Sequence, residues 1–73
     1  MYIKAEGKKV ILDTEKQREK FIKNNKDGKY TGEGNVGEKI EVQLIQGVGF
    51  ELRRIYKNNE EFEGYNSKGE RNS

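Results

Sequence analysis

Apolar and polar positions alternate from Met1 to Leu12 around a Glu6-Gly7 pair, which predicts two short strands joined by a two-residue turn. That turn sets Ala5 against Lys8, Ile3 against Val10 and Met1 against Leu12. Ile3, Ala5, Val10 and Leu12 then share one face, and Lys4, Lys9 and Ile11 share the other. Thr14, with Gln17 three residues on, has the form of a capping box. Glu15 to about Asn25 is a run of good helix formers, ended by Asn24, Asn25 and Asp27-Gly28. Its apolar content is Phe21 and Ile22, one turn's worth, so this helix docks on one spot of a sheet and organises no bundle.

Residues 29–38, with Gly32, Gly34 and Gly37, read as a glycine-dense loop. Residues 39–66 read as a three-stranded meander. Ile40, Val42 and Leu44 alternate with Lys39, Glu41 and Gln43; after Gly47-Val48-Gly49, Phe50 and Leu52 alternate with Glu51 and Arg53. At Arg53-Arg54 the apolar phase shifts to Ile55, which a β-bulge would explain. With that bulge Leu44 opposes Leu52, Val42 opposes Ile55, and an Asn58-Asn59 turn sets Ile55 against Phe62 and Arg54 against Glu63. The inner row is then Val42, Ile55 and Phe62, and the outer row Gln43, Arg54 and Glu63. The expected fold is a small single α+β domain over residues 1–65. It has a twisted antiparallel sheet in the order β-β-α-β-β-β and one short helix on one face, followed by a disordered polar tail at 66–73.

Composition narrows the chemistry. The 73 residues include no His, Cys, Trp or Pro, and the two serines, Ser67 and Ser73, lie near the C-terminus. No imidazole, thiolate or activated serine is therefore on offer, and no disulfide or zinc cluster supports the core. These absences argue against an enzyme and against a bound cofactor. Charged residues make up 38% of the chain, yet the net charge is only +2. Residues 1–29 hold nine Lys/Arg against five Asp/Glu, and residues 30–73 hold six against eight. The chain is dipolar rather than basic. No apolar run approaches a membrane span and no signal peptide is evident, so the expected location is the cytoplasm.

Four features invite a functional reading. Gly32-Glu33-Gly34-Asn35-Val36-Gly37 spells G-x-G-x-x-G, but it follows a helix and precedes a strand, the reverse of a phosphate loop, and reads as a loop only. Glu60, Glu61 and Glu63 are no metal site, since successive strand residues point to opposite faces. Lys16, Arg18, Lys20 and Lys23 on the helix, with Lys4, Lys8 and Lys9, could contact nucleic-acid phosphates. Tyr2, Tyr30, Tyr56 and Tyr65 with Arg53 and Arg54 could stack bases, but acidic neighbours oppose that use.

The favoured expectation is a non-catalytic protein-binding module, a small regulator or inhibitor of a larger target, in the format of phage or mobile-element accessory proteins. Its contact residues are read as Ile45, Val48, Phe50, Arg53, Arg54, Tyr56 and Tyr30. Apolar residues left outside the drawn core, Val48, Ile45 and Ile11, carry that reading. The alternative is a small nucleic-acid-binding domain using the basic helix and the N-terminal lysines. A homodimer completed by strand pairing is the third reading, and no membrane partner is expected.

Overall fold

Glu6 and Gly7 both take positive φ, 53° and 78°, as the type I′ turn of a tight hairpin requires. In the computed structural model, which describes residues 1–72, this turn joins β1 (Tyr2–Ala5) to β2 (Lys8–Ile11). The register is the expected one, with Ile3 opposite Val10 and Ala5 opposite Lys8. Helix α1 (Glu15–Asn24) begins on the capping box. The Gln17 amide donates to Thr14 Oγ1 at 3.1 Å, and the Thr14 amide donates to Gln17 Oε1 at 3.0 Å.

The glycine-dense segment departs from expectation. Gly28–Glu33 is a strand, β3, seated between β1 and β4 (Lys39–Ile45) in the middle of the sheet. Gly32 is required there, because a Cβ at this position would overlap the Tyr2 carbonyl of β1. Only residues 34–38 turn, closed by the Gly34 amide donating to the Glu38 carbonyl at 2.8 Å. With β5 (Gly49–Ile55) and β6 (Glu60–Asn66), the six strands run in the order β2-β1-β3-β4-β5-β6, each neighbouring pair antiparallel. The α+β class with one antiparallel sheet and one helix on one face holds, with one more strand than the pattern suggested.

The bulge at Arg53-Arg54 is absent. Val42 faces Leu52, Ile40 faces Arg54, Arg53 faces Phe62 and Leu52 faces Glu63 in an unbroken ladder. Alternation therefore carries Arg54 and Glu63 to the helix side and leaves Ile55 and Phe62 on the bare side. No extra residue is needed, because Arg54 finds carboxylate partners on the inner face instead of avoiding it. The segment read as a disordered tail also carries structure up to Asn72. Asn66 and Glu70 close a turn, Tyr65 bridges Arg71, and the Asn72 amide donates to the Gly64 carbonyl at 2.8 Å. Ser73 lies outside the described residues.

The core lies between α1 and the inner face: Ile3, Ala5, Leu12, Ile40, Val42, Leu44, Phe50, Leu52 and Tyr65 from the sheet side, Phe21 and Ile22 from the helix. Phe21 meets Tyr30 and Phe50 edge to face, with centroids 5.3 and 5.6 Å away. Phe50 stacks on Tyr65 at 4.8 Å, and the Arg18 guanidinium covers Tyr65 at 4.7 Å. Phe21→Ala is expected to cost about 3–5 kcal/mol, close to the whole stability of a domain this small. Phe62→Ala should cost no more than about 0.5 kcal/mol, as for an exposed site. Urea titrations followed by circular dichroism check the pair; the opposite ranking would restore the bulged register, in which Phe62 is core.

Candidate functional site

The residues read as partner contacts do not form one surface. Ile45 and Val48 stand exposed, 48% and 64% accessible, at the tip of the β4–β5 hairpin as expected. Phe50, by contrast, is core at 4% accessible. Its inward phase with Leu52 dictates this, so it is withdrawn as a contact residue. Tyr30 is half-buried beneath α1, its ring against Phe21 and its hydroxyl donating to the Lys26 carbonyl at 2.5 Å. Tyr56 is half-buried, and its hydroxyl donates to Glu61 at 3.3 Å. Arg53 lies on the bare face, bound to Glu41 at 2.9 Å and to Glu60.

Arg54 occupies a different environment. On the inner face it binds Glu38 at 2.7 Å and Glu63, and all three side chains are largely hidden from water. The Tyr65 hydroxyl donates to Glu63 at 2.7 Å and the Val36 amide to Glu38 at 3.1 Å. Hydrogen bonding to Arg54 outweighs burial at Glu63 and holds its carboxyl below the ordinary range. Burial pushes Glu38 upward, but the hydrogen bonds from Arg54 and from backbone amides overcome it, so Glu38 is lowered too. Hydrogen bonding to Glu63 raises Arg54 further. This cluster is a structural ion-pair site, saturated by its own members.

The bare face of the sheet is the surface that sequence reasoning missed. The register places Tyr2 and Ile11 at one side and Ile55 and Phe62 at the other, with Lys4, Lys9, Lys29, Lys39 and Arg53 set among Glu33, Glu41, Glu51 and Glu60. Phe62 is 59% accessible and Ile11 42%. Unbroken period-two alternation through residue 63 was the signal for Ile55 and Phe62; the postulated bulge hid it.

The basic residues separate into two groups. Lys4 and Lys9 are cross-strand neighbours on the bare face, while Lys16, Lys20 and Lys23 are exposed on α1. A groove of about 620 Å³ between α1 and β2 brings Lys20 together with Lys8. Arg18 does not belong with them. Its guanidinium donates to the carbonyls of Gly69 (2.7 Å), Asp13 (3.2 Å) and Leu12 (3.3 Å), tying the helix to the C-terminal turn.

In the G-x-G-x-x-G stretch, Gly32 and Glu33 belong to β3 and the remainder is the turn into β4, with no helix following. Among the described residues, no group of three Asp or Glu side chains is placed to hold a metal ion, and no helix is long and apolar enough to cross a membrane. No family model, curated protein or solved structure matches the chain.

The Arg54 cluster yields a signed pH prediction. Glu38 and Glu63 are depressed in the folded state, so their stabilisation is complete above the ordinary value of 4.5 and is lost as pH falls through the folded values. Arg54→Met removes the counter-charge and should cost about 3 kcal/mol at neutral pH. The abandoned carboxylates then titrate above the ordinary value, so the variant gains stability on acidification while the parent loses it. Thermal unfolding of both proteins from pH 7 to pH 2 checks this; parallel curves would remove the cluster's assigned role.

Proposed function

We propose that this chain is a non-catalytic protein-binding module, a small regulator or inhibitor that works by covering a surface of a larger protein. The observation that carries the reading is the bare sheet face. Five large apolar or aromatic side chains, Tyr2, Ile11, Ile45, Ile55 and Phe62, share it with charges of both signs in near balance. Several of those charges are already paired with one another, through Lys39–Glu41, Arg53–Glu41 and Arg53–Glu60. Such a face has little attraction for a phosphate backbone. Apolar anchors within a mixed polar surround match a protein interface. The molecule measures 33 × 30 × 20 Å, so its broad face has the extent of the ~800 Å² that each partner buries in an ordinary complex.

A second reading, nucleic-acid contact, rests on one observation, the convergence of Lys8 and Lys20 beside Lys16 and Lys23. It requires DNA or RNA affinity that falls steeply with salt.

A photo-crosslinking residue at position 62 tests the main reading in lysate. One dominant protein adduct is expected, suppressed by excess unlabelled parent chain and at least about tenfold less well by Phe62→Glu, a loss worth ~1.4 kcal/mol. Label carried only to nucleic acid, or suppression by both competitors alike, would refute it.

A further inference from the structure

Backbone pairing in the first hairpin leaves one edge of the sheet open. The Leu12 amide donates to the Met1 carbonyl at 3.0 Å. In an antiparallel ladder, hydrogen-bonded and non-bonded pairs alternate, so Ile3/Val10 and Ala5/Lys8 are the bonded pairs. The N–H and C=O groups of Lys9 and Ile11 therefore point away from β1. Beyond β2 the sheet has no further strand, and no other backbone group of the described residues meets them. The far edge is finished differently: the chain folds back along β6, where Asn72 donates to Gly64 and Asn66 to Glu70.

Beside the open edge lies the groove between α1 and β2, floored by Val10 and Phe21 and walled by Lys8, Lys20, Gln17 and Asn24. Glu6, at the hairpin turn, is the one acid on its rim. On the other side of β2 the Lys9 ammonium sits 4.6 Å from the centre of the Tyr2 ring of β1, on the bare face.

The geometry points to strand addition: the β2 edge takes an extended acidic segment of a protein partner as a seventh antiparallel strand. Main-chain groups supply the affinity in this mode of recognition and alternate side chains supply the selectivity. Partner residues opposite Lys9 and Ile11 face the bare side, and those opposite Lys8 and Val10 face the groove. Carboxylates therefore fit opposite Lys8 and Lys9, and an apolar residue fits opposite Val10, beside Phe21. Read from the position opposite Ile11, the pattern is any residue, apolar, acid, acid.

Chemistry separates this occupant from its rivals. A nucleic-acid backbone offers phosphate acceptors to the lysines but no regular row of donors for the Lys9 and Ile11 carbonyls. A second copy pairing β2 to β2 would bring lysines close to lysines, as charged edge strands are built to prevent. The chain's own acidic strand, β6, is a poor match. Its C-terminal half is covered by residues 70–72, and Glu60 and Glu63 are already held by Arg53 and Arg54.

This inference shares with the proposed function only the premise that the chain acts by contact. Its test uses a defined probe and residues of β2, so it stands or falls apart from the crosslink at position 62. The probe is a labelled peptide, Thr-Thr-Val-Glu-Glu-Thr, titrated into the full chain and read by fluorescence anisotropy and by amide NMR. Saturable binding is expected, with the Lys9 and Ile11 amides among the most shifted. Three changes should each weaken it about tenfold or more: methylating the amide of the first glutamate, replacing both glutamates with lysine, and the K8E/K9E double variant. The double variant should in turn prefer the lysine peptide, and an unchanged thermal midpoint shows that it folds. Absence of binding at millimolar peptide would overturn the inference. So would equal affinity of the methylated peptide, tighter binding of oligo-dT at physiological salt, or self-association that already protects the Lys9 and Ile11 amides.

Discussion

One aromatic side chain closes this fold. Helix α1 brings a single buried turn, Phe21 and Ile22, to a sheet six strands wide. Phe21 makes that turn sufficient by sitting between Tyr30 of β3 and Phe50 of β5, while Phe50 passes the stack on to Tyr65 of β6. Edge-to-face and stacked pairs add to area burial, so four rings link three strands to the helix without a large aliphatic core. Arg18, three residues earlier, covers the far end of the row and binds the C-terminal turn. The remainder of the helix is free to be polar.

A short helix over a wide sheet leaves the two faces with different tasks. The inner face is apolar in its middle rows and ionic where Ile40 gives way to Arg54 and Glu63. The outer face has no covering layer, and its side chains must satisfy water by themselves. They do so by interleaving opposite charges around a few apolar groups, a composition that also suits contact with protein. Inner face, outer face and open edge thus present three chemically distinct surfaces in a chain of 73 residues.

Legibility followed locality. The first hairpin, the capping box and the helix are written in neighbouring residues, and each forms where the pattern placed it. Strand β3 is not written locally. Its inward positions are Gly28, Tyr30 and Gly32, so no apolar alternation marks it, and its place is decided by hydrogen bonds to β1 and β4. The register after Leu52 is not legible in the sequence, because an inward arginine resembles an interruption of the apolar phase. Only the tertiary pairing of Arg54 with Glu38, sixteen residues away, reveals it as a continuation. Among candidate contacts, Ile45 and Val48 were legible as apolar residues flanking a glycine turn. Phe50 is core rather than contact, as its shared phase with Leu52 implies. The unsatisfied edge at Lys9 and Ile11 was present in the hairpin register but acquires meaning only once the strand order shows nothing beyond it.

The Arg54 cluster also bears on how the last hairpin is indexed. On β6 the inward positions are Glu61, Glu63 and Tyr65, so apolar content alone discriminates weakly between neighbouring alignments of β5 and β6. A bulge at Arg53-Arg54 would instead turn Ile55 and Phe62 inward and release Arg54 and Glu63 to solvent, where an ion pair is worth little. Glu38, hidden behind the 34–38 turn, would then keep a negative charge with no cation beside it. Only the observed alignment neutralises that carboxylate, so the guanidinium serves as a locating pin for the hairpin, chosen by charge where shape is indifferent.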